Sequence, residues 1–335
     1  MSEDEAYDRF KAIRWAESSG QPICPHGCDT AVYEVRTRRI FTCKKCLRQF
    51  SITSGTIFSN RKLPMRDLLA AIAIFVNGAK GTSALQMSRM MGVDYKTAFV
   101  LAHKLREAMS AQIDRTPLTG SVEIDGAYYG GYLKPRNVAI NRADRRKKQY
   151  LTNKRKAAVV MCERGGRTIA IAAGSEKLAV PVIKSLLADG AILYTDEAKA
   201  WSPLDYSHDR HVINHSKMYA IGPVSTNLAE SFHSRMRRSE IGVHHHIAGP
   251  YFGAYLDENA WRDNRKRNSN ADQYEALISA AASHPVSRQW KGYWQRRKAT
   301  EQTPSSVPKV RPDMSGSGSV AGPEEAGSDQ RREAA

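Results

Sequence analysis

The chain has 335 residues, enough for about two domains, and its 41% hydrophobic and 25% charged residues describe an ordinary globular protein. No run of eighteen apolar residues is present, which excludes a membrane-spanning helix, and the acidic start MSEDEAYDRF is unlike a secretory signal. A net charge of +17, with no basic amphipathic helix of the membrane-surface kind, points to a polyanionic partner such as nucleic acid in the cytoplasm or nucleoid.

The first chemistry-bearing pattern is CPHGC…CKKC, which places Cys24, Cys28, Cys43 and Cys46 at the spacing C-x3-C, fourteen residues, C-x2-C. Two thiolate pairs on short knuckles, joined by a hairpin-length connector, can close a tetrahedron around Zn²⁺. The connector supplies Val, Tyr and Ile for two short strands, and a cytosolic setting argues against disulfides. His26, between the first two cysteines, is expected to point outward. Residues 1–58 are read as an N-terminal segment with a zinc ribbon.

Residues 59–116 read as helical. In GTSALQMSRMMGVDYKTAFVLAHKLREAM the apolar positions Leu85, Met87, Met90 and Met91 precede a Gly92-Val93 break. Asp94 is then placed to cap a second helix that buries Ala98, Leu101 or Ala102, Leu105 and Met109. Helix, glycine-containing turn and helix form the pattern of a helix-turn-helix. In that arrangement Lys96, Thr97, Val100, His103 and Lys104 occupy the exposed, DNA-facing side of the recognition helix.

From residue 117 to 298 strands and helices alternate. SVEIDGAYY, KAAVVMCER and RTIAIAAG read as three strands, the last two joined by a Gly165-Gly166 turn. SEKLAVPVIKSLLADG reads as an amphipathic helix capped by Ser175 and stopped at Gly190. AILYTDEAKAW is a further strand that ends on Asp196, as the first ends on Asp125. A three-strand meander, a helix and a strand delivering a second acid beside the first is the order of an RNase H-like core. Two such carboxylates can share Mg²⁺ or Mn²⁺. A third ligand would come from the helix STNLAESFHSRMRR, where Asn227 and Glu230 share a face and either fits. Cys162 reads as core packing, and so do Trp201, Trp261, Trp290 and Trp294. His208, His211 and His215 read as loop or rim residues, and His244 to His246 as a polar rim near DNA.

Basic charge concentrates from Lys134 to Lys156, where ten Lys or Arg accompany one acid, Asp144. Arg145, Arg146, Lys147, Lys148, Lys154, Arg155 and Lys156 are therefore expected to contact phosphates. Residues 299–335, rich in Ser, Gly, Pro, Glu and Ala, read as a disordered tail.

Taken in order, CPHGC…CKKC…FSITSGTIF, LPMRDLLAAIAIF, VEIDGAYYGG, YTDEAKAW, HVINHS, TNLAESFHSRMRR and GVHHHIAGPYFGAYLDENAWRDNRK span residues 20–268. Together they resemble insertion-sequence transposases with an N-terminal zinc ribbon and an RNase H-like catalytic domain. The resemblance implies an α/β fold and metal-dependent DNA cleavage and strand transfer at element ends. Asp125, Asp196 and Asn227 or Glu230 would hold Mg²⁺ (or Mn²⁺), with Arg235 where the family usually shows Lys. A homo-oligomer on DNA is implied by paired element ends. Gly126 departs from the family's Glu after the first Asp. Two rival functions share these features: a DNA-binding regulator descended from such an enzyme, and an RNase H-like nuclease without strand transfer.

Overall fold

A computed structural model describes residues 1–28, 30–130, 155–213, 220–221, 224–247 and 249–295. Helix α1 (Glu3–Arg14) opens the chain on a capping box, with the Glu5 amide donating to Ser2 Oγ and the Ser2 amide to the Glu5 carboxylate. A three-stranded antiparallel sheet follows, β1 (Val32–Val35), β2 (Ile40–Cys43) and β3 (Gln49–Ser51). The first two strands are the hairpin expected between the cysteine pairs. Their register, Val32 opposite Cys43, leaves the thiols of both knuckles at one end of the sheet. Phe41 packs edge-on against Trp15, which ties this sheet to α1.

Three helices come next: α2 (Met65–Asn77), α3 (Ala84–Met91) and α4 (Tyr95–Ala111). α3 starts on a Ser83 cap and stops at Gly92, whose φ of 65° is left-handed and suits glycine. Asp94 occupies the N-cap position of α4 without a side-chain cap bond. The expected apolar face of α4 is buried at Ala98, Leu101, Ala102, Leu105 and Met109. His103 is a correction: it is fully buried, not DNA-facing. Its ring stacks on Trp290 at 4.3 Å and meets Phe99, Tyr251 and Tyr255. The cause is a second layer of elements over α4, which a single-face reading of the helix does not anticipate.

The second core is built on a five-stranded sheet in the order β6-β5-β4-β7-β8. β4 (Ser121–Tyr129), β5 (Lys156–Glu163) and β6 (Thr168–Ala173) form the antiparallel meander, turning through Gly165 at φ 75°. β7 (Ile192–Asp196) and β8 (Asp209–Ile213) add in parallel on the other side of β4. Alternation along the strands feeds two faces. Val122, Ile124, Val159, Met161 and Leu193 bury against α5 (Glu176–Ser185) with Trp201 and Leu204. Ala127, Tyr129, Ala158, Val160 and Cys162 bury against α6 (Asn227–Ser239) and α7 (Phe252–Asn264). α5 carries the expected Ser175 cap, yet it ends at Ser185 and a turn carries the chain to Gly190. This is the mixed α/β, RNase H-like architecture the sequence implies.

α7 and α8 (Asn270–Ser283) return to the first core. Trp261, Leu277, Ile278, Ala281 and Ala282 pack with α1, α2, α4 and the ribbon in one cluster. Buried Arg106 of α4 donates to Glu258 of α7 at 2.7 Å, and Arg262 clamps the same carboxylate at 2.9 Å. The expected unit boundary at residue 117 is thus a division of the sequence more than of the packing. The expected disordered tail lies outside the described residues. No helix among the described residues is long and apolar enough to cross a membrane.

Candidate active site and zinc ribbon

The four cysteines converge. Their sulfur atoms all lie within 4.8 Å of one another, Cys24 and Cys43 buried and Cys28 and Cys46 half-buried, with Cys24 Sγ 3.8 Å from Cys46 Sγ. Four soft donors at this separation suit a tetrahedral Zn²⁺. His26 is exposed and outside the group.

Asp125 and Asp196 also come together. β4 and β7 run parallel, and their last paired residues are Ile124 and Thr195, so the two aspartates occupy the next rung on neighbouring strands. Strand alternation turns both toward the same sheet face, and both are partly open to solvent. Each is held from behind. Asp196 Oδ1 accepts from the Trp201 indole at 2.7 Å and from the Ala198 amide at 3.2 Å. Asp125 Oδ1 accepts from the Gly126 amide at 2.8 Å. His233 of α6 lies behind it, Nε2 3.4 Å from the Asp125 carbonyl oxygen and 3.9 Å from its carboxylate. Burial lowers the His233 pKa to about 4, so the imidazole is neutral near pH 7. Tyr129, 3.3 Å from Nδ1, fixes the ring from the other side.

An open cavity of about 630 Å³ adjoins this strand end, lined by Asp125, Gly126, Ala127, Lys80 and the α6 residues Glu230, His233, Ser234, Arg237 and Arg238. Glu230, Ser234, Arg237 and Arg238 follow i, i+4, i+7 and i+8, one face of a helix. Asn227 is exposed at the first position of α6, and Glu230 is half-buried in the cavity wall. Arg235 does not line the cavity. It points off that face, donating to Asp263 of α7 at 2.6 Å and to Ser231, because a five-residue offset from Glu230 falls outside the i+4, i+7 stripe. Arg237 and Arg238 are the α6 cations at the cavity.

Three acids and a histidine of this region were not singled out in the sequence. Glu123, two residues before Asp125, is buried, accepts from the Leu228 amide at 2.7 Å, and pairs with Arg164 at 2.8 Å. It therefore caps α6 from the strand that carries Asp125. Asp263 gathers Arg235, Lys266 and Thr168 where α6, α7 and β6 meet. Glu176, first residue of α5, lies over Gly126, and burial followed by the charges of Asp196 and Asp125 pushes its carboxyl pKa upward. Only the i, i+2 spacing of Glu123 and Asp125, both facing one way on a strand, signals any of this in advance.

Other expected positions distribute as follows. Lys96 and Thr97 are exposed on α4 and Lys104 is half-buried, its pKa lowered by burial. Lys96 Nζ lies 5.6 Å from the centre of the Trp294 ring, and Trp294, half-exposed, donates to the Lys96 carbonyl. Trp201, Trp261 and Trp290 are core residues, as is Cys162, whose thiol burial pushes up to about 12. Arg155 covers the Tyr128 ring at 5.4 Å and Lys156 begins β5. Arg145, Arg146, Lys147, Lys148, Lys154 and His215 lie outside the described residues. His211 stacks on Tyr194, and His208 sits beside Ser207. His244 is not a rim residue: it turns inward against Tyr255, because the π-helical turn Glu240–His244 redirects the chain there. His245 and His246 stay exposed.

An RNase H-like sheet with paired aspartates at adjacent strand ends, behind a four-cysteine ribbon, defines a DNA-processing class of protein. Residues 117–264 match the ISXO2-like transposase domain, and residues 1–49 match the transposase zinc-ribbon domain. The chain is also 27% identical over 271 residues to an uncharacterized protein in transposable element ISH50 of Halobacterium salinarum, a span covering 76% of this chain and 89% of the relative. No solved structure matches it. The chain belongs to the insertion-sequence transposases that join a zinc ribbon to an ISXO2-like transposase domain.

Proposed function

We propose that the protein cleaves the ends of its element and joins them to target DNA at a site built from Asp125, Asp196 and Glu230. The observation that carries this reading is the pair of aspartates one rung beyond the last β4–β7 pairing, the first of which lines a cavity flanked by Lys80, Arg237 and Arg238. An all-oxygen donor set fits Mg²⁺ or Mn²⁺. Among the described residues no trio of acids is drawn as close as the four cysteines. Such ions, when bound, polarise a phosphodiester and favour ionised water as the nucleophile.

The chain's own residues do the rest. Lys80, Arg237 and Arg238 hold the phosphate backbone against the strand ends. His233, neutral, fixes the Asp125 backbone and leaves the carboxylate oxygens to face the cavity. Glu123 fastens the first turn of α6 to β4, which sets the approach of Glu230 to Asp125. Lys96 and Thr97 on α4, with the basic run that includes Arg145 to Lys148, supply DNA contacts away from the reacting phosphate.

The test is Mg²⁺-dependent nicking of an element-end duplex by wild type, Asp125→Ala, Asp196→Ala, Glu230→Gln and Asn227→Ala. We expect the two Asp variants to lose at least about 10³-fold, Glu230→Gln to follow them, and Asn227→Ala to retain activity; the reverse order for the last two makes Asn227 the third ligand. Joining of a pre-nicked end into plasmid separates a transposase from a nuclease. Equal DNA binding with no nicking by any form leaves only a regulator.

A further inference from the structure

Gly126 follows Asp125 on β4, and the space above it is filled. A Cβ built on Gly126 would lie 2.6 Å from Glu176 Cγ, 2.7 Å from its Oε1 and 2.8 Å from its Cδ. Real side chains do not approach so closely, so Glu176 occupies the volume that any residue but glycine would claim. Chain geometry then keeps Oε1 within about 8 Å of the Asp125 Cα atom.

The placement is unusual for an acid. Negative side chains in the first turn of a helix are common, because the helix's positive end favours them, and they ordinarily reach into solvent. Glu176 instead folds inward, half-buried, toward Asp125 and Asp196. Among the described residues it has no hydrogen bond or ion pair to offset two neighbours of its own sign. A flexible side chain with solvent within reach would leave such a position unless something positive belonged there. Glu176 also approaches from α5, on the sheet face opposite α6, so it completes the strand end from the side that Glu230 does not cover.

Resting on the metal-dependent reading above, we infer that Glu176 is a fourth carboxylate ligand of the divalent-cation site, seated there by Gly126. The fold thus brackets the two aspartates with one acid from each helical layer. The side chain that the neighbouring strand position lacks is supplied in space from fifty residues further along the chain.

The zinc-loaded full-length protein is titrated with Mn²⁺ by calorimetry, and its thermal unfolding is recorded with and without Mn²⁺, for wild type, Asp125→Asn, Glu176→Gln and Gly126→Ala. Glu176→Gln is expected to weaken Mn²⁺ binding tenfold or more and to shrink the Mn²⁺-induced rise in Tm. Its metal-free Tm stays level or rises, because a repulsion has been removed. Gly126→Ala keeps the charge but displaces the carboxylate, and reproduces the weaker binding. If Glu176→Gln binds Mn²⁺ as wild type does while Asp125→Asn does not, Glu176 is no ligand and the proposed function stands. If its metal-free Tm falls with the Mn²⁺ increment unchanged, its role is packing and the inference is overturned. If wild type takes up no Mn²⁺, the metal-dependent reading falls with it.

Discussion

Glu123 offers the sharpest test of how the site is assembled. Its carboxylate is buried at 2% exposure and accepts from the Leu228 amide at 2.7 Å and from Arg164 Nε at 2.8 Å. A charge-assisted bond of this kind contributes about 1.5–3 kcal/mol, and the favourable end of the helix adds up to about 1 kcal/mol. Arg164 keeps its bonds to the Ser225 carbonyl and hydroxyl and its seat over the Tyr194 ring, so it is not stranded when Glu123 is removed. Glu123→Ala should therefore cost about 3 kcal/mol locally, and Glu123→Gln, which keeps an acceptor, about half of that. The loss falls on the start of α6. Native-state hydrogen exchange at Leu228 and its neighbours in the first turn should accelerate by roughly 150-fold in the Ala variant, since each 1.4 kcal/mol is tenfold in an opening constant. Nicking should fall with it, as Glu230 rides on the same turn. An exchange rate within about fivefold of wild type would refute the argument that this strand residue holds the helix.

Removing zinc, or the substitution Cys43→Ser, should unfold the ribbon, with an apparent stability loss on the order of 10 kcal/mol. Because Cys24, Cys43, Phe41 and Trp15 share one core with α1 and α2, the loss should be seen in helical circular dichroism as well; an unchanged melting curve after chelation would count against a structural zinc site. His103 has its pKa lowered to about 2 by burial, then by the nearby Arg106. A folded-state value below the unfolded 6.5 means that the unfolded chain binds the proton. Its contribution is therefore complete above about pH 6.5 and is lost as pH falls, by about 1.4 kcal/mol per pH unit. His103→Phe should make the acid side of the urea-stability profile shallower by that amount between pH 6 and 4, and identical slopes would contradict the buried, neutral assignment. Replacing Arg145, Arg146, Lys147 and Lys148 by Ala should lower the slope of log K against log salt for duplex DNA binding by up to about 3.6, with no change if the run does not touch phosphates.

Much of the catalytic fold was legible because strand periodicity is simple. A period of two marks Val122 and Ile124 as core and puts Glu123 and Asp125 on the other face, and AILYTD repeats the arrangement. The cysteine spacing was legible for a similar reason, since ligands on short knuckles have little freedom. Helical phase was harder. Choosing between Arg235 and Arg237 requires knowing which stripe of α6 meets the sheet, and Asp263, which claims Arg235, is 28 residues away in sequence. His103 misled because α4 is covered on a second side by Tyr251, Tyr255 and Trp290, all contributed from the far end of the described chain. Gly126 carried information of another kind. Read along the chain it is a missing carboxylate, whereas in space it is an opening sized for Glu176.

The return of α7 and α8 to the first core has a consequence for synthesis. Ribbon and α1 to α4 leave the ribosome early, yet Leu277, Ile278, Ala281 and Ala282, which cover their apolar side, follow about 170 residues behind α4. At translation speeds of about 5–20 residues per second that surface stays uncovered for on the order of ten seconds or more. Chains that stop short of α8 should therefore expose this apolar surface and be prone to aggregation. Only a polypeptide read through to α8 buries the apolar side of its N-terminal helices in a finished core.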